Sequence, residues 1–130
     1  MGKFQKEYKC ALVFTHDLIG GKWKLRILWH IIHGDNRFSM LKKAIPDITE
    51  KVLYTQLRDL EKSGIIEKEI VNVQPPKTVL YHLREENRDL VPLIEDTCRF
   101  TKQYASRNNI QIKEPVCNIP VSGKEVHTKK

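Results

Sequence analysis

At 130 residues, with 40% hydrophobic and 30% charged side chains, the chain is long enough for one domain with a real core and too short for two. Lys+Arg 23 against Asp+Glu 16 gives a formal net charge of +7, which favours polyanionic partners, nucleic acid ahead of an anionic membrane surface. No stretch approaches the roughly 18 apolar residues of a membrane span, MGKFQKEYKC lacks the apolar core of a secretory signal, and Lys6 stands where a myristoylation motif wants Ser or Thr. The chain is therefore expected to be cytoplasmic and not to engage a membrane.

Residues 1–9 are polar and charged, and residues 108–130 mix prolines, Gly123 and lysines without a sustained period. Both are expected tails, the second a flexible one, flanking a single domain over residues 10–107. ALVFTHDLI reads as a short helix broken at Gly20-Gly21, and KWKLRILWHIIH as a second closed at Gly34, where a left-handed residue commonly ends a helix. Trp23, Ile27, Leu28 and Ile31 recur at helical spacing and give that second helix one buried face. DNRF suggests a short extended piece. Ser39 is then placed to cap a brief helix, MLKKAI, that stops before Pro46.

Thr49 caps the next helix, residues 50–63, and PDIT between these two helices gives the spacing of a helix-turn-helix. IIEKEIV and TVLYHL are β-rich runs, and NVQPPK between them makes a hairpin with a projecting tip. A helical pattern resumes from Glu85 to about Arg107. Pro92 fits it if Asp89 caps a new start, since a first-turn amide has no intrahelical partner. Its apolar arc, Leu90, Ile94, Thr97, Cys98, Thr101 and Tyr104 widened by Leu93, Phe100 and Ala105, is broader than a single packing contact requires.

At about 100° per residue, Leu53, Leu57 and Leu60 form the inner side of the 50–63 helix. Lys51, Tyr54, Thr55, Arg58 and Lys62 fall on the outer side, with Glu50, Asp59 and Glu61 at its flanks. A solvated face usually interleaves both signs of charge, whereas this one has no acid at its centre. Cation, phenol, hydroxyl and guanidinium together suit the major groove, where Arg can take two acceptors of guanine. Taken alone, the helix is equally compatible with a solvated stripe. A helix-turn-helix followed directly by a two-stranded ribbon is a winged-helix layout, in which the second helix enters the major groove and the ribbon reaches backbone or minor groove. In that layout Lys77 at the tip is a phosphate contact, and Ser39, Lys42 and Lys43 grip the flanking strand.

At this point the chain resembles the HxlR-type winged-helix transcription regulators of bacteria. The resemblance rests on Cys10 followed by DLIGGKWKLRIL, then RFSMLKKAIPDITEKVLYTQLRDLEKSGII, QPPKTVLYHL and LVPLIEDTC, which together span most of residues 10–105. It implies a mainly α (α+β) fold, a winged helix-turn-helix with extra N- and C-terminal dimerisation helices. The implied homodimer binds a palindromic operator in double-stranded DNA, with residues 50–63 in the major groove and the wing, residues 71–78, on backbone or minor groove. The DNA-contacting set would then be Ser39, Lys42, Lys43, Thr49, Lys51, Tyr54, Thr55, Arg58 and Lys77. Leu12, Trp29, Leu90, Leu93, Ile94, Thr97, Cys98, Thr101 and Tyr104 would form the dimer interface. Some members sense thiol-reactive or electrophilic signals through a cysteine near the N-terminus, the place Cys10 occupies. The chain departs from the family pattern at Tyr54, where threonine is common, at Asn87, often glycine, and at Arg84, where a Ser or Thr cap is usual.

Cys10, Cys98 and Cys117 are an odd number of widely spaced cysteines, which suggests neither a disulfide framework nor a zinc site. Lys9 beside Cys10 favours a reactive thiol if the sulfur is exposed, against which stands a small residue packed at a helix start. Cys98 lies on the apolar stripe and reads as core or interface. Trp23 reads as core. His16, His30, His33, His82 and His127 make no two-on-one-face set with cysteines or carboxylates, so no metal and no cofactor is expected. The sequence leaves two other functions open: a winged domain that binds protein rather than DNA, and a thiol enzyme built on Cys10.

Overall fold

The computed structural model describes residues 4–72 and 74–113. In chain order the elements are α1 (Ala11–Ile19), α2 (Lys24–Ile32), α3 (Phe38–Ala44), α4 (Glu50–Lys62), β1 (Ile66–Asn72), β2 (Thr78–Leu83), a 3-10 turn (Glu85–Asn87) and α5 (Leu90–Arg107). This is a winged helix-turn-helix with additional helices at both ends. Cys117 and His127 lie outside the described residues, as does most of the 108–130 tail.

Burial explains the arrangement. Ile27, Leu28, Ile31 and Ile32 make α2 the central beam of the core. Leu41 of α3, Leu53, Leu57 and Leu60 of α4, Ile66 of β1 and Leu83 of β2 all pack into the same fully buried cluster. Trp23 is a correction: it is only half-buried at the rim of this core, with the Lys22 ammonium 4.8 Å and the Arg26 guanidinium 5.4 Å from its ring. A Trp whose face meets two cations is better placed at the rim than sealed inside.

The caps are partly as expected. Thr49 accepts a hydrogen bond from the Val52 amide at 3.1 Å and so starts α4. Ser39 does not cap α3. That helix begins two residues earlier than MLKKAI, at Phe38, which packs against the core, and its N-cap position is held by Arg37 without a side-chain bond. Because Phe38 is helical, DNRF forms no strand, although Asn36 accepts the Tyr81 amide of β2 at 2.8 Å. Asp89 occupies the N-cap position of α5 without a side-chain cap bond, and Pro92 falls within the first turn, where its missing amide costs no helical bond.

Gly34 (φ +108°) and Gly64 (φ +80°) end α2 and α4 in the left-handed region. After each, an amide returns to the helix, Asp35 to the His30 carbonyl at 2.9 Å and Ile65 to the Leu60 carbonyl at 3.0 Å. Gly64 therefore turns the chain directly from α4 into the hairpin. There β1 and β2 pair antiparallel with Ile66 opposite Leu83, Lys68 opposite Tyr81 and Ile70 opposite Val79, and an irregularity lies between Ile70 and Asn72. The base of the ribbon is core, since Ile66, Tyr81 and Leu83 are buried, while Ile70, Val71 and residues 74–77 are exposed. Asn87 is tied in as well. Its side-chain amide donates to the carbonyls of Gly64 and Ile65 at 2.9 and 3.3 Å, locking the 3-10 turn onto the α4–β1 connection.

The single broad arc expected on α5 resolves into two faces. Val91, Ile94 and Ala105 are buried in the core of their own chain, and Leu90 and Cys98 pack against it. Ile94, expected at a dimer interface, is 3% exposed and packs into the core of its own chain. Leu93, Thr97, Phe100 and Tyr104 lie roughly 120° away at about 100° per residue and are exposed, Phe100 at 63%. Their spacing of 4, 3 and 4 is that of a helix-pairing seam. Leu12 on α1 and Thr101 on α5 are exposed too, whereas Trp29 stacks on His33 with ring centroids 4.1 Å apart and packs against the core.

Candidate nucleic-acid interface

Burying Leu53, Leu57 and Leu60 dictates what α4 presents outward. Lys51, Tyr54, Thr55, Arg58 and Lys62 are all exposed on the opposite side. The Arg58 guanidinium lies over the Tyr54 ring, 5.7 Å from its centroid, an i, i+4 contact that restrains a long side chain. The Thr55 hydroxyl donates to the Lys51 carbonyl at 2.9 Å, so its hydrogen is used within the helix. Its oxygen and methyl then face outward as an acceptor and an apolar contact, suited to an amino group of adenine or cytosine or to a thymine methyl. Thr49 differs. Its oxygen accepts the Val52 amide, which leaves the hydroxyl hydrogen for a phosphate.

Ser39, Lys42 and Lys43 of α3 line a shallow hollow together with Phe38, Pro46 and Glu50. Three of the expected DNA contacts thus share one surface at the start of α4, and Glu50 brings an acid to its edge. Lys77 stands apart, exposed at the tip of the hairpin. Two of the three acids beside the α4 face have cations from other elements: Lys24 of α2 is 3.9 Å from Asp59, and Lys68 of β1 is 3.9 Å from Glu61.

Sequence periodicity did not find the groups that hold α4 against α2. Lys24 donates to the Gln56 side-chain oxygen at 2.9 Å. Arg26 reaches both carboxylate oxygens of Asp47, in the turn before α4, at 3.1 and 3.2 Å. That bidentate bond holds the Asp47 carboxyl below its ordinary range. Its contribution to stability is therefore present above the unfolded-chain pKa and fades as pH falls through the lowered one. The available signal was the pair of cations, Lys24 and Arg26, inside the otherwise apolar run KLRIL.

Cys10 is exposed at the N-cap position of α1, where its carbonyl accepts the amides of Val13 and Phe14 at 3.1 and 3.3 Å. The residues before it fold back on α1. Tyr8 stacks on Phe14 at 4.6 Å and donates its hydroxyl to Asp17 at 2.5 Å, which raises the Tyr8 pKa. His30 pairs with Asp35 at 3.0 Å and His82 with Glu69 at 2.8 Å. Among the described residues, no group of three or more His, Cys, Asp or Glu side chains is placed to hold a metal ion, and no helix is long and apolar enough to cross a membrane.

The HxlR-like helix-turn-helix family model matches residues 18–109. The chain belongs to this family. Within the HxlR-like family it is similar to the uncharacterized HTH-type transcriptional regulators YkvN and YtcD of Bacillus subtilis. It is 38% identical to YkvN over 102 residues, 78% of this chain and 86% of YkvN, and 41% identical to YtcD over 103 residues, 79% of this chain and 81% of YtcD. The solved structure of the redox regulator HypR in its reduced form matches with a TM-score of 0.64 and 37% identity, covering 77% of this chain and 94% of that one. The HxlR-like match spans every element from the end of α1 through α5, and so includes α4 and both strands of the hairpin.

Proposed function

We infer that this protein is a DNA-binding transcription regulator that acts as a homodimer and without catalysis. The observation behind this reading is the exposed, acid-free centre of α4, with Lys51, Tyr54, Thr55 and Arg58 presented beside a projecting hairpin. That is the layout in which a helix reads the major groove and a wing touches the backbone or minor groove. The relatives' description as HTH-type transcriptional regulators supports it. Phosphate contacts from Ser39, Lys42, Lys43, Thr49 and Lys77 supply affinity, and the α4 face supplies sequence choice. Residues 10–107 work as one DNA-binding and dimerisation unit.

Each phosphate neutralised releases counterions, so binding to duplex DNA is expected to fall steeply with salt, with a slope of about −0.9 per phosphate in a log–log plot. Fluorescence anisotropy across a salt series measures it. A flat profile, with partner protein captured equally well after reversing charge at Lys51 and Arg58, would replace this reading with a protein-interaction module.

Exposed Cys10 and the likeness to HypR, described as a redox regulator, support a thiol-responsive regulator. An oxidant or quinone is expected to change operator binding by the wild-type protein and not by Cys10→Ser. An equal response of both proteins removes Cys10 as the sensor.

A further inference from the structure

We propose that Lys24 and Arg26 of α2 are positioning residues for DNA reading: they touch no DNA and set the angle at which α4 enters the groove. The inference rests on the DNA-binding reading of α4. Its basis is a two-point attachment. Arg26 holds Asp47 through both carboxylate oxygens, two residues before the α4 cap Thr49. Lys24 holds Gln56 at 2.9 Å and sits 3.9 Å from Asp59, one turn apart on the flank of α4.

Both struts spring from the central helix of the core, since Ile27, Leu28, Ile31 and Ile32 of α2 are at most 1% exposed. The Lys24 and Asp59 side chains are only 15% and 21% exposed. A lysine so enclosed needs acceptors for its donors, and Gln56 and Asp59 serve that purpose. The leucines of α4 fix how deeply the helix sits, yet apolar packing is non-directional and resists a small roll or tilt weakly. Directional bonds at the start of the helix and again two turns later oppose both movements. Base-edge hydrogen bonds weaken steeply with misalignment, so a tilt is expected to cost discrimination before it costs general affinity.

The test compares affinity for a duplex selected by the wild-type protein with affinity for a scrambled duplex of equal length. Lys24→Met is expected to lower this ratio about tenfold with an unchanged salt slope, and Lys24→Arg, which keeps the strut, to retain most of it. Adding Asp59→Asn to Lys24→Met restores the wild-type net charge. The positioning role predicts that the ratio stays low, and full recovery would show a charge effect instead and overturn the role. If Lys24→Met does not fold, Gln56→Met removes the acceptor without altering charge and is expected to reduce the ratio several-fold. Wild-type discrimination that survives the folded strut variant overturns the positioning role alone, whereas a wild-type protein that cannot distinguish the duplexes overturns the DNA-binding reading and the role with it.

Discussion

Phe100→Asp is expected to convert the proposed homodimer to monomers and to weaken operator binding by about 10²–10⁴-fold, the range lost when two linked binding events become independent. Phe100 is the most exposed large hydrophobic residue of the Leu93, Thr97, Phe100 and Tyr104 seam, and its ring is 6.4 Å from that of Tyr104. A carboxylate there would have to be desolvated between two helices, which association cannot offset without a partner charge. In the monomer the same carboxylate stays in water, so the thermal stability of the isolated chain should change little. Sedimentation velocity and an operator titration read the two effects together. A dimer that persists in Phe100→Asp would show that this seam is not the interface. Ile94→Asp would be uninformative, because it injures the monomer's own core.

Arg58→Ala is expected to cost about 1–3 kcal/mol of specific binding, or about 5- to 150-fold, and to relax preference at one base pair of each half-site. Arg58 is the one side chain on the α4 face able to take both acceptors of a guanine in a single plane, and its stack on Tyr54 holds it partly oriented before binding. Tyr54, the residue on this face that departs most from the family pattern, is on this account expected to act through its neighbour, by supporting the guanidinium. The loss should be confined to one position of the operator, in contrast to a phosphate-contacting lysine, whose removal weakens all sequences alike. Titrating Arg58→Ala against single-base variants of the operator measures this, and undiminished binding with an unchanged base preference would contradict the assignment.

The parts of the fold legible in the sequence are those fixed by local rules. Thr49, the leucine spacing of α4, Gly34, Gly64 and the two β-rich runs each act within a few residues, and each is found where its chemistry requires it. What local pattern could not separate was burial by the chain's own core from burial left for a partner. Ile94 and Leu93 are adjacent in sequence and equally apolar, yet one is 3% and the other 48% exposed, because only α5's inner side meets the body of the domain. The start of α3 differs from the local pattern for a related reason: Ser39 is the better cap by type, and Phe38 overrides it by packing against the core. Pairs that join distant segments were invisible altogether. Lys24 and Gln56 are 32 residues apart, and Asn87 reaches back to Gly64 and Ile65. Of the expected DNA contacts, those on α3 lie beside the start of α4, those of α4 run along its exposed side, and Lys77 is set at the separate hairpin tip.

The most direct measurement of the central claim is selection of duplex DNA bound by the wild-type protein from a random pool at physiological salt, since binding, symmetry and spacing are read at once. A dimer reading successive major grooves predicts enrichment of a palindrome whose half-site centres lie about 10 base pairs, or about 34 Å, apart or at a multiple of that spacing. Recovery of no common sequence, or of an asymmetric one unaffected by Arg58→Ala, would contradict it.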